Sequence, residues 1–409
     1  MINLVMRGNG INGYYEVNQQ AEWEEFQSFN HNPNLDFNDP NLRMLDLNGD
    51  GFADILITEH DCFIWHKCMA DKGYDAARFV AKKLDEEQGP RVVFQEGFQS
   101  IFLSDMSGDG LTDIVRIRNG EICYWPNLGY GQFGAKIRMA DAPKFDYPDL
   151  FDPSRIRLAD IDGTGTTDIL YLGGQEVSYW HNQSGNSFSA KNILDAFPQI
   201  DNIASVQVFD LLGKGTACLV WSSPLAEDAR NPIRYLDLMQ EKPYLPCESK
   251  NNMGAETHIT YVSSIKFYLE DKLNGKPWIT KLPFAVQVVE RSATYDAISN
   301  NLFVSKYAYH HGYFDGIERE FRGFGMVEQW DTEDFETLKG ANLFPSINPA
   351  NFGQKELDQA PVYTKTWFHN GFYRNGEHIS AHYKKEYYQG DEQAWFFPDT
   401  NLPEGISPT

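Results

Sequence analysis

One pattern recurs four times in the first half of the chain, and it constrains the fold more than any other feature. Its clearest copy is Leu45-Asp46-Leu47-Asn48-Gly49-Asp50-Gly51-Phe52-Ala53-Asp54-Ile55-Leu56. The second is Asp105-Met106-Ser107-Gly108-Asp109-Gly110-Leu111-Thr112-Asp113-Ile114-Val115, and the third is Asp160-Ile161-Asp162-Gly163-Thr164-Gly165-Thr166-Thr167-Asp168-Ile169-Leu170. A decayed fourth copy runs Asp210-Leu211-Leu212-Gly213-Lys214-Gly215-Thr216-Ala217-Cys218-Leu219-Val220. The leading aspartates, Asp46, Asp105, Asp160 and Asp210, are spaced by 59, 55 and 50 residues. An apolar pair precedes each glycine-rich loop and a β-branched pair follows it, so the glycines turn the chain between two strands.

Each copy carries more than its loop. The first three share a tetrapeptide ending in Trp: Cys62-Phe63-Ile64-Trp65, Ile122-Cys123-Tyr124-Trp125 and Val177-Ser178-Tyr179-Trp180. Two continue alike, as Trp125-Pro126-Asn127 and Trp180-His181-Asn182, and an aromatic strand start at Phe133 or Phe188 closes the unit. That makes three or four short strands per repeat, with no 3.6-residue period long enough for a crossover helix. Four-stranded units of about 50 residues predict β-propeller blades, with a solenoid as the lesser alternative. About four units fit before Pro224, with Asn9 to Tyr15 and Trp23 as a remnant of a preceding one. Propellers usually close with more blades, so this count leaves part of the ring outside the chain.

The loop spacing places oxygen side chains at positions 1, 3, 5 and 9, with a carbonyl available at 7. Alternate residues can then wrap one hard cation, and glycine permits the tight turn. The first loop offers Asp46, Asn48, Asp50, the Phe52 carbonyl and Asp54. The second offers Asp105, Ser107, Asp109, the Leu111 carbonyl and Asp113. The third offers Asp160, Asp162, Thr164, the Thr166 carbonyl and Asp168, with Thr164 weakening it where a carboxylate is wanted. Leu212, Lys214 and Cys218 remove the fourth as a metal site. An EF-hand is excluded because position 12 is Ile57, Arg116 or Tyr171, not Glu, and strands flank the loop. These readings predict structural Ca2+. The competing reading is Asx-type turns that fold without metal.

Charge and composition narrow the function classes. The 35 basic and 58 acidic residues give a net charge of -23, which repels phosphate backbones and anionic lipid. Neither nucleic acid nor direct membrane insertion is expected, and no apolar run reaches the roughly 18 residues a spanning helix needs. Cys62, Cys68, Cys123, Cys218 and Cys247 are too scattered for a disulfide framework. Met1 to Arg7 shows no basic segment followed by an apolar one, so no secretory signal is visible. No Gly-x-Ser-x-Gly, His-Glu-x-x-His or Walker loop occurs, and the abundant Asp already has a structural use, so no catalytic residue is assigned.

The second half carries longer strings. Arg234-Tyr235-Leu236-Asp237-Leu238-Met239 is followed by Asn251-Asn252-Met253-Gly254-Ala255-Glu256-Thr257 and Lys266-Phe267-Tyr268-Leu269-Glu270-Asp271-Lys272. Tyr307-Ala308-Tyr309-His310-His311-Gly312-Tyr313-Phe314-Asp315-Gly316 leads to Arg319-Glu320-Phe321-Arg322-Gly323-Phe324-Gly325. These strings resemble the B component of bacterial insecticidal toxin complexes, the TcB or TcdB-like family related to SpvB, over about residues 40 to 405. The repeats themselves resemble the FG-GAP or VCBS type. The resemblance implies a propeller followed by Rhs/YD-type strands that spiral into a cocoon formed with a C component around a cytotoxic effector. It also implies that the propeller docks on a pore-forming A component, which opens the cocoon. The whole would be made in the bacterial cytoplasm and act outside it in a secreted toxin complex.

The residues of this half read the same way. Phe303 to Tyr309 is strand-like, Phe314-Asp315-Gly316 is a turn signal, and Ile317 to Trp330 returns as a strand broken by Gly323 and Gly325. A bulge or the close approach of another strand is expected at those glycines. His310 and His311 are adjacent on a strand and so point to opposite faces, which disfavours a metal pair. Pro361 to His369 reads as a further strand, and Pro398 to Thr409 as a fraying tail.

The expected fold is therefore all-β: propeller blades over 1–224, a YD/Rhs-like antiparallel region over 225–332, and a connecting segment with further strands over 333–409. The expected function is a non-enzymatic toxin-complex component that gates effector release. Two alternatives are a calcium-stabilised adhesion or carbohydrate-binding propeller and a glycan-active propeller enzyme. Residues 225 to 405 discriminate, since neither alternative needs a YD-type region.

Overall fold

The computed structural model describes residues 4–8, 11–16, 23–97, 100–174, 176–194, 203–299, 301–315, 320–332, 362–372 and 376–390. Strands dominate, as the all-β reading expects. The tail from Pro398 and the connecting segment after Thr332 lie outside the described residues.

Strands β1 (Leu4–Gly8), β2 (Ile11–Tyr15) and β3 (Gln27–Ser28) form a small antiparallel sheet. The first hairpin repeat builds β4 (Leu42–Leu45), β5 (Asp54–Thr58), β6 (Cys62–His66) and β7 (Arg78–Ala81), paired in sequence order. A helical turn, α1 (Phe94–Gly97), precedes the second repeat. That repeat gives β8 (Ile101–Ser104), β9 (Asp113–Arg118), β10 (Glu121–Trp125) and β11 (Ile137–Arg138) in one sheet. The third gives β12 (Ile156–Ala159), β13 (Asp168–Leu172) and β14 (Val177–Trp180), a side hairpin of β15 (Asn182–Gln183) and β16 (Ser187–Phe188), and β17 (Asn192–Leu194). The decayed repeat forms three strands, β18 (Ser205–Phe209), β19 (Cys218–Ser222) and β20 (Ile233–Asp237).

Every hairpin turns at two glycines with left-handed backbone, such as Gly108 at φ 81 and Gly110 at φ 84. A side chain would be strained there. The fourth copy keeps this geometry at Gly213 and Gly215 with Asp210 as its one remaining loop carboxylate. The carboxylates at positions 3, 5 and 9 are therefore not required for the turn.

Alternation along the central strands explains how the sheets pack. On β13, Ile169 and Tyr171 join a core shared with Val115, Ile117 and Tyr124 of the second repeat. Leu170 and Leu172 face the other way, into a core with Val206, Leu219 and Trp221 of the fourth. On β9, Ile114 instead joins Leu56, Phe63 and Trp65 of the first repeat. Each central strand is thus buried on both faces, which is why β5 and β13 read as unbroken apolar runs after their aspartate. The sheets stack in series, as blade-like layers do.

The chain divides into two compact units, Met1–Leu212 with Thr216–Pro243, and Gly213–Gly215 with Tyr244–Thr409. Strand β20 pairs with β19, so 233–237 lies in the first unit although the sequence reading started the next domain at 225. The second unit is a six-stranded antiparallel sheet of β21 (Glu248–Lys250), β22 (Ala255–Ser263), β23 (Gln287–Asp296), β24 (Asn301–Asp315), β25 (Glu320–Thr332) and β26 (Val362–Trp367). Two helices were not expected from the sequence: α2 (Ser264–Leu273), capped by the Ser263 hydroxyl, and α3 (Gly376–Glu386). On α2 only Ser264 and Phe267 are buried, and on α3 only Ile379, so neither carries a strong apolar stripe.

Close approach at Gly325 does occur, chiefly to a helix. A Cβ there would collide with the Tyr383 hydroxyl of α3 and crowd His311 Cβ of β24 at 3.1 Å. Gly325→Ala is expected to cost about 1–3 kcal/mol through this overpacking. Urea unfolding should show the loss, and proteolysis between 367 and 390 should accelerate as α3 loosens.

Candidate functional site

The three acidic hairpins are the most chemically distinctive region, and two kinds of aspartate divide the work. The leading aspartate ties down its own loop. Asp46 accepts backbone N–H groups from Asn48, Asp50 and Gly51 at 3.2, 3.0 and 2.6 Å. Asp105 accepts from Gly108 and Gly110, both at 2.7 Å, and the Ser107 hydroxyl donates to it at 3.4 Å. Asp160 accepts from Gly163, Thr164 and Gly165 at 2.7, 3.1 and 2.9 Å. At position 5, Asp50 and Asp109 accept the N–H groups of Phe52 and Leu111 at 3.0 and 2.9 Å. Asn48 donates its amide to Asp50 at 2.9 Å.

The ninth-position aspartates Asp54, Asp113 and Asp168 open the central strands and are fully buried. Each receives the N–H of the residue fourteen places downstream: Cys68 to Asp54 at 2.7 Å, Asn127 to Asp113 at 2.9 Å, and Asn182 to Asp168 at 2.7 Å. A second donor completes each. Trp65 Nε1 reaches Asp54 at 2.9 Å, while the Met106 and Ile161 amides reach Asp113 and Asp168, both at 3.0 Å. These carboxylates therefore fasten the strand after the Trp motif to the hairpin before it. Burial raises the Asp113 carboxyl to about 6 despite both donors, with Asp105 and Asp109 adding to the rise. Burial likewise raises Asp54.

Sequence reasoning missed this role, although the repeated Trp-x-Asn at Trp125 and Trp180 was its signal. It also missed His181. Its Nδ1 lies 3.4 Å from Asp168 Oδ2 and 3.6 Å from Asp162 Oδ2. Among the described residues this is the acidic-loop set of three ligand-type side chains whose atoms all lie within 4.8 Å of one another. In the first loop, Lys67 Nζ stands 3.5 Å from Asp50 Oδ2 instead.

In the second unit, His310 and His311 part as strand alternation predicts. His310 Nδ1 bonds Asp271 on α2 at 2.6 Å, and its Nε2 lies 3.6 Å from Glu328 on β25. Burial lowers the His310 pKa, but the two carboxylates outweigh it and hold it at about 9. Burial raises Glu328, but His310, Lys365 and Tyr363 outweigh that and hold it at about 2. His311, at φ 56, faces the opposite way to Glu386 of α3, at 3.1 Å, and His382 bonds the same carboxylate at 3.0 Å. A surface cavity of about 470 Å³ beside β1 and β2 is lined mainly by apolar groups such as Val5, Tyr14, Phe29, Met44, Phe52 and Tyr74.

The sequence model of the family described as "Insecticide toxin TcdB middle/N-terminal region" matches residues 182–347, from the third repeat through the long hairpin. Over those residues the chain is similar to TcdB. A structure of the Photorhabdus luminescens Tc holotoxin pore, with a mutated TccC3, shares 28% identity over 96% of this chain, with a TM-score of 0.76. A crystal structure of TcdB2-TccC3 shares 25% identity over 96% of the chain, with a TM-score of 0.62. The chain spans 17% and 20% of the length of those two chains. None of the curated proteins matches its sequence.

Proposed function

We propose that this chain is a non-enzymatic part of a toxin-complex B component. The stacked hairpin sheets act as the propeller that docks on a pore-forming A component. The long antiparallel sheet begins the Rhs-type shell that, with a C component, encloses the effector and gates its release. The observation that carries the reading is continuity: one family match runs from β15, through the fourth repeat, into the six-stranded sheet. A free-standing adhesin or lyase needs no such sheet. FG-GAP or VCBS-type blades through β20 and shell strands from β21 onward follow from this reading, as does action outside the producing cell.

Docking should be electrostatic in part, because the chain carries a net charge of -23. Co-purification with a candidate pore-forming subunit at about 50 and about 500 mM salt tests it, a range over which screening tightens several-fold. Retention at low salt that weakens at high salt is expected. No association at low salt overturns the docking role.

Calcium in the first two loops is part of the same proposal. Asp46, Asn48, Asp50 and the Phe52 carbonyl supply one set, and Asp105, Ser107, Asp109 and the Leu111 carbonyl the other. Asp54 and Asp113, each oriented by two donors, supply the ninth-position carboxylates of the two sets. Calorimetric titration with CaCl2 should give heat in the parent that is lost in Asp50→Ala, Asp109→Ala. No heat in the parent contradicts the cation role.

A further inference from the structure

We propose that the third hairpin is a transition-metal site, selective for Zn2+ over Ca2+, with Asp162, Asp168 and His181 as its protein ligands. The inference stands independently of the toxin-complex reading. It starts from the register of the repeats. The residue thirteen places after each buried aspartate is fixed over the loop by the neighbouring backbone bond to that aspartate. In the first repeat this residue is Lys67, a permanent cation, in the second it is Pro126, and in the third it is His181. Only the third repeat places a metal-ligating nitrogen there.

The spacing suits a small ion. Zn–N and Zn–O bonds of about 2.0–2.2 Å set the edges of a tetrahedron at roughly 3.3–3.5 Å. His181 Nδ1 lies 3.4 and 3.6 Å from the two carboxylate oxygens, longer than an ideal N–H···O bond and close to that edge. Outer contacts hold the ligands. Asn182 and Ile161 amides orient the Asp168 carboxylate, Thr164 N–H reaches Asp162 Oδ1 at 3.2 Å, and Tyr179 packs edge-on to the imidazole at 5.3 Å. His181 is partly exposed, so its Nε2–H can be hydrated while Nδ1 gives its lone pair to the ion, and a water can take the fourth position.

Calcium fits this loop less well. It wants six to eight oxygens. Thr164 puts no carboxylate at position 5, and its hydroxyl is bonded to that of Thr166 at 3.1 Å. The other His-containing clusters are weaker candidates. At His311, the Ile279 N–H donates to Nδ1 at 3.2 Å, which leaves Nε2 carrying the proton and not a lone pair toward Glu386. The Glu248, Glu256 and His258 cluster is already neutralised by Lys250.

Calorimetric titration of the full chain with ZnCl2, and separately with CaCl2 in competition, tests the site. His181→Ala should remove one Zn2+ equivalent or weaken it at least about tenfold. Asp162→Asn, which keeps the shape, should weaken Zn2+ in the same way. Cobalt substitution should give a visible absorption band that His181→Ala abolishes. Any zinc held by the cysteines persists in both variants, so the lost equivalent is the readout. No Zn2+ binding to the parent, equal binding in both variants, or displacement of Zn2+ by equimolar Ca2+ overturns the proposal and leaves His181 as a protonated counter-charge in the manner of Lys67.

Discussion

Asp113→Ala is expected to destabilise the chain by about 2–4 kcal/mol, while Asp109→Ala in the same loop should cost under about 1 kcal/mol without metal. The difference follows from burial. Removing Asp113 leaves the Met106 and Asn127 amides without their acceptor inside the layered core, whereas Asp109 accepts one N–H at the exposed loop tip. Paired urea unfolding curves at pH 7 measure both. The pH dependence has a definite sign. The folded Asp113 pKa, about 6, lies above its ordinary value, so the proton-linked part of its contribution is full below about pH 4 and is lost as pH rises through 6, leaving at pH 7 its acceptor role toward the two amides. Asp113→Ala should flatten that limb. If both alanine variants cost the same, the division between fastening and loop-tip aspartates is wrong.

His310→Ala is expected to cost about 3–5 kcal/mol, because it leaves Asp271 and Glu328 facing each other across a buried gap without their shared cation. Trp278 Nε1 would still donate to Asp271, at 2.7 Å, and Lys365 to Glu328, at 2.8 Å, so the loss is partial. The folded His310 pKa is raised, so its stabilisation is full below about pH 6.5 and disappears as pH rises through 9. Glu328 is depressed, so its share is present above about pH 4.5 and is lost as pH falls through 2. Urea midpoints across pH 6 to 10 should fall on the alkaline side for the parent and stay flatter for His310→Ala. A parent with a level alkaline limb would show that His310 is not held as a cation.

The layered β architecture was legible because two local rules coincide: glycine where φ is positive, and apolar pairs on either side of it. Double-faced burial was readable in Ile169-Leu170-Tyr171-Leu172, since no polar residue interrupts it. The division of labour among the aspartates was not. In sequence, Asp113 looks like one more oxygen ligand, and its donor Asn127 is separated from it by a strand and a turn. His181 was hidden for the same reason, because register brings it to Asp162. The helices escaped because Ser264–Leu273 and Gly376–Glu386 present few buried apolar residues, and α3 is held by Ile379, by Tyr383 packed on Gly325 and by Glu386 contacting His311. The split of His310 from His311 was legible from strand alternation, although His311 itself takes a left-handed φ of 56.

Hydrogen exchange on the full chain tests the central claim, that acidic hairpins clamp serially stacked sheets buried on both faces. Amides of 113–118 and 168–172 should exchange slowest in the first unit and together, at a rate that Asp113→Ala accelerates across both strands. Central strands that exchange as fast as the edge strands at 78–81 and 192–194, or a variant that loosens only its own loop, would contradict it.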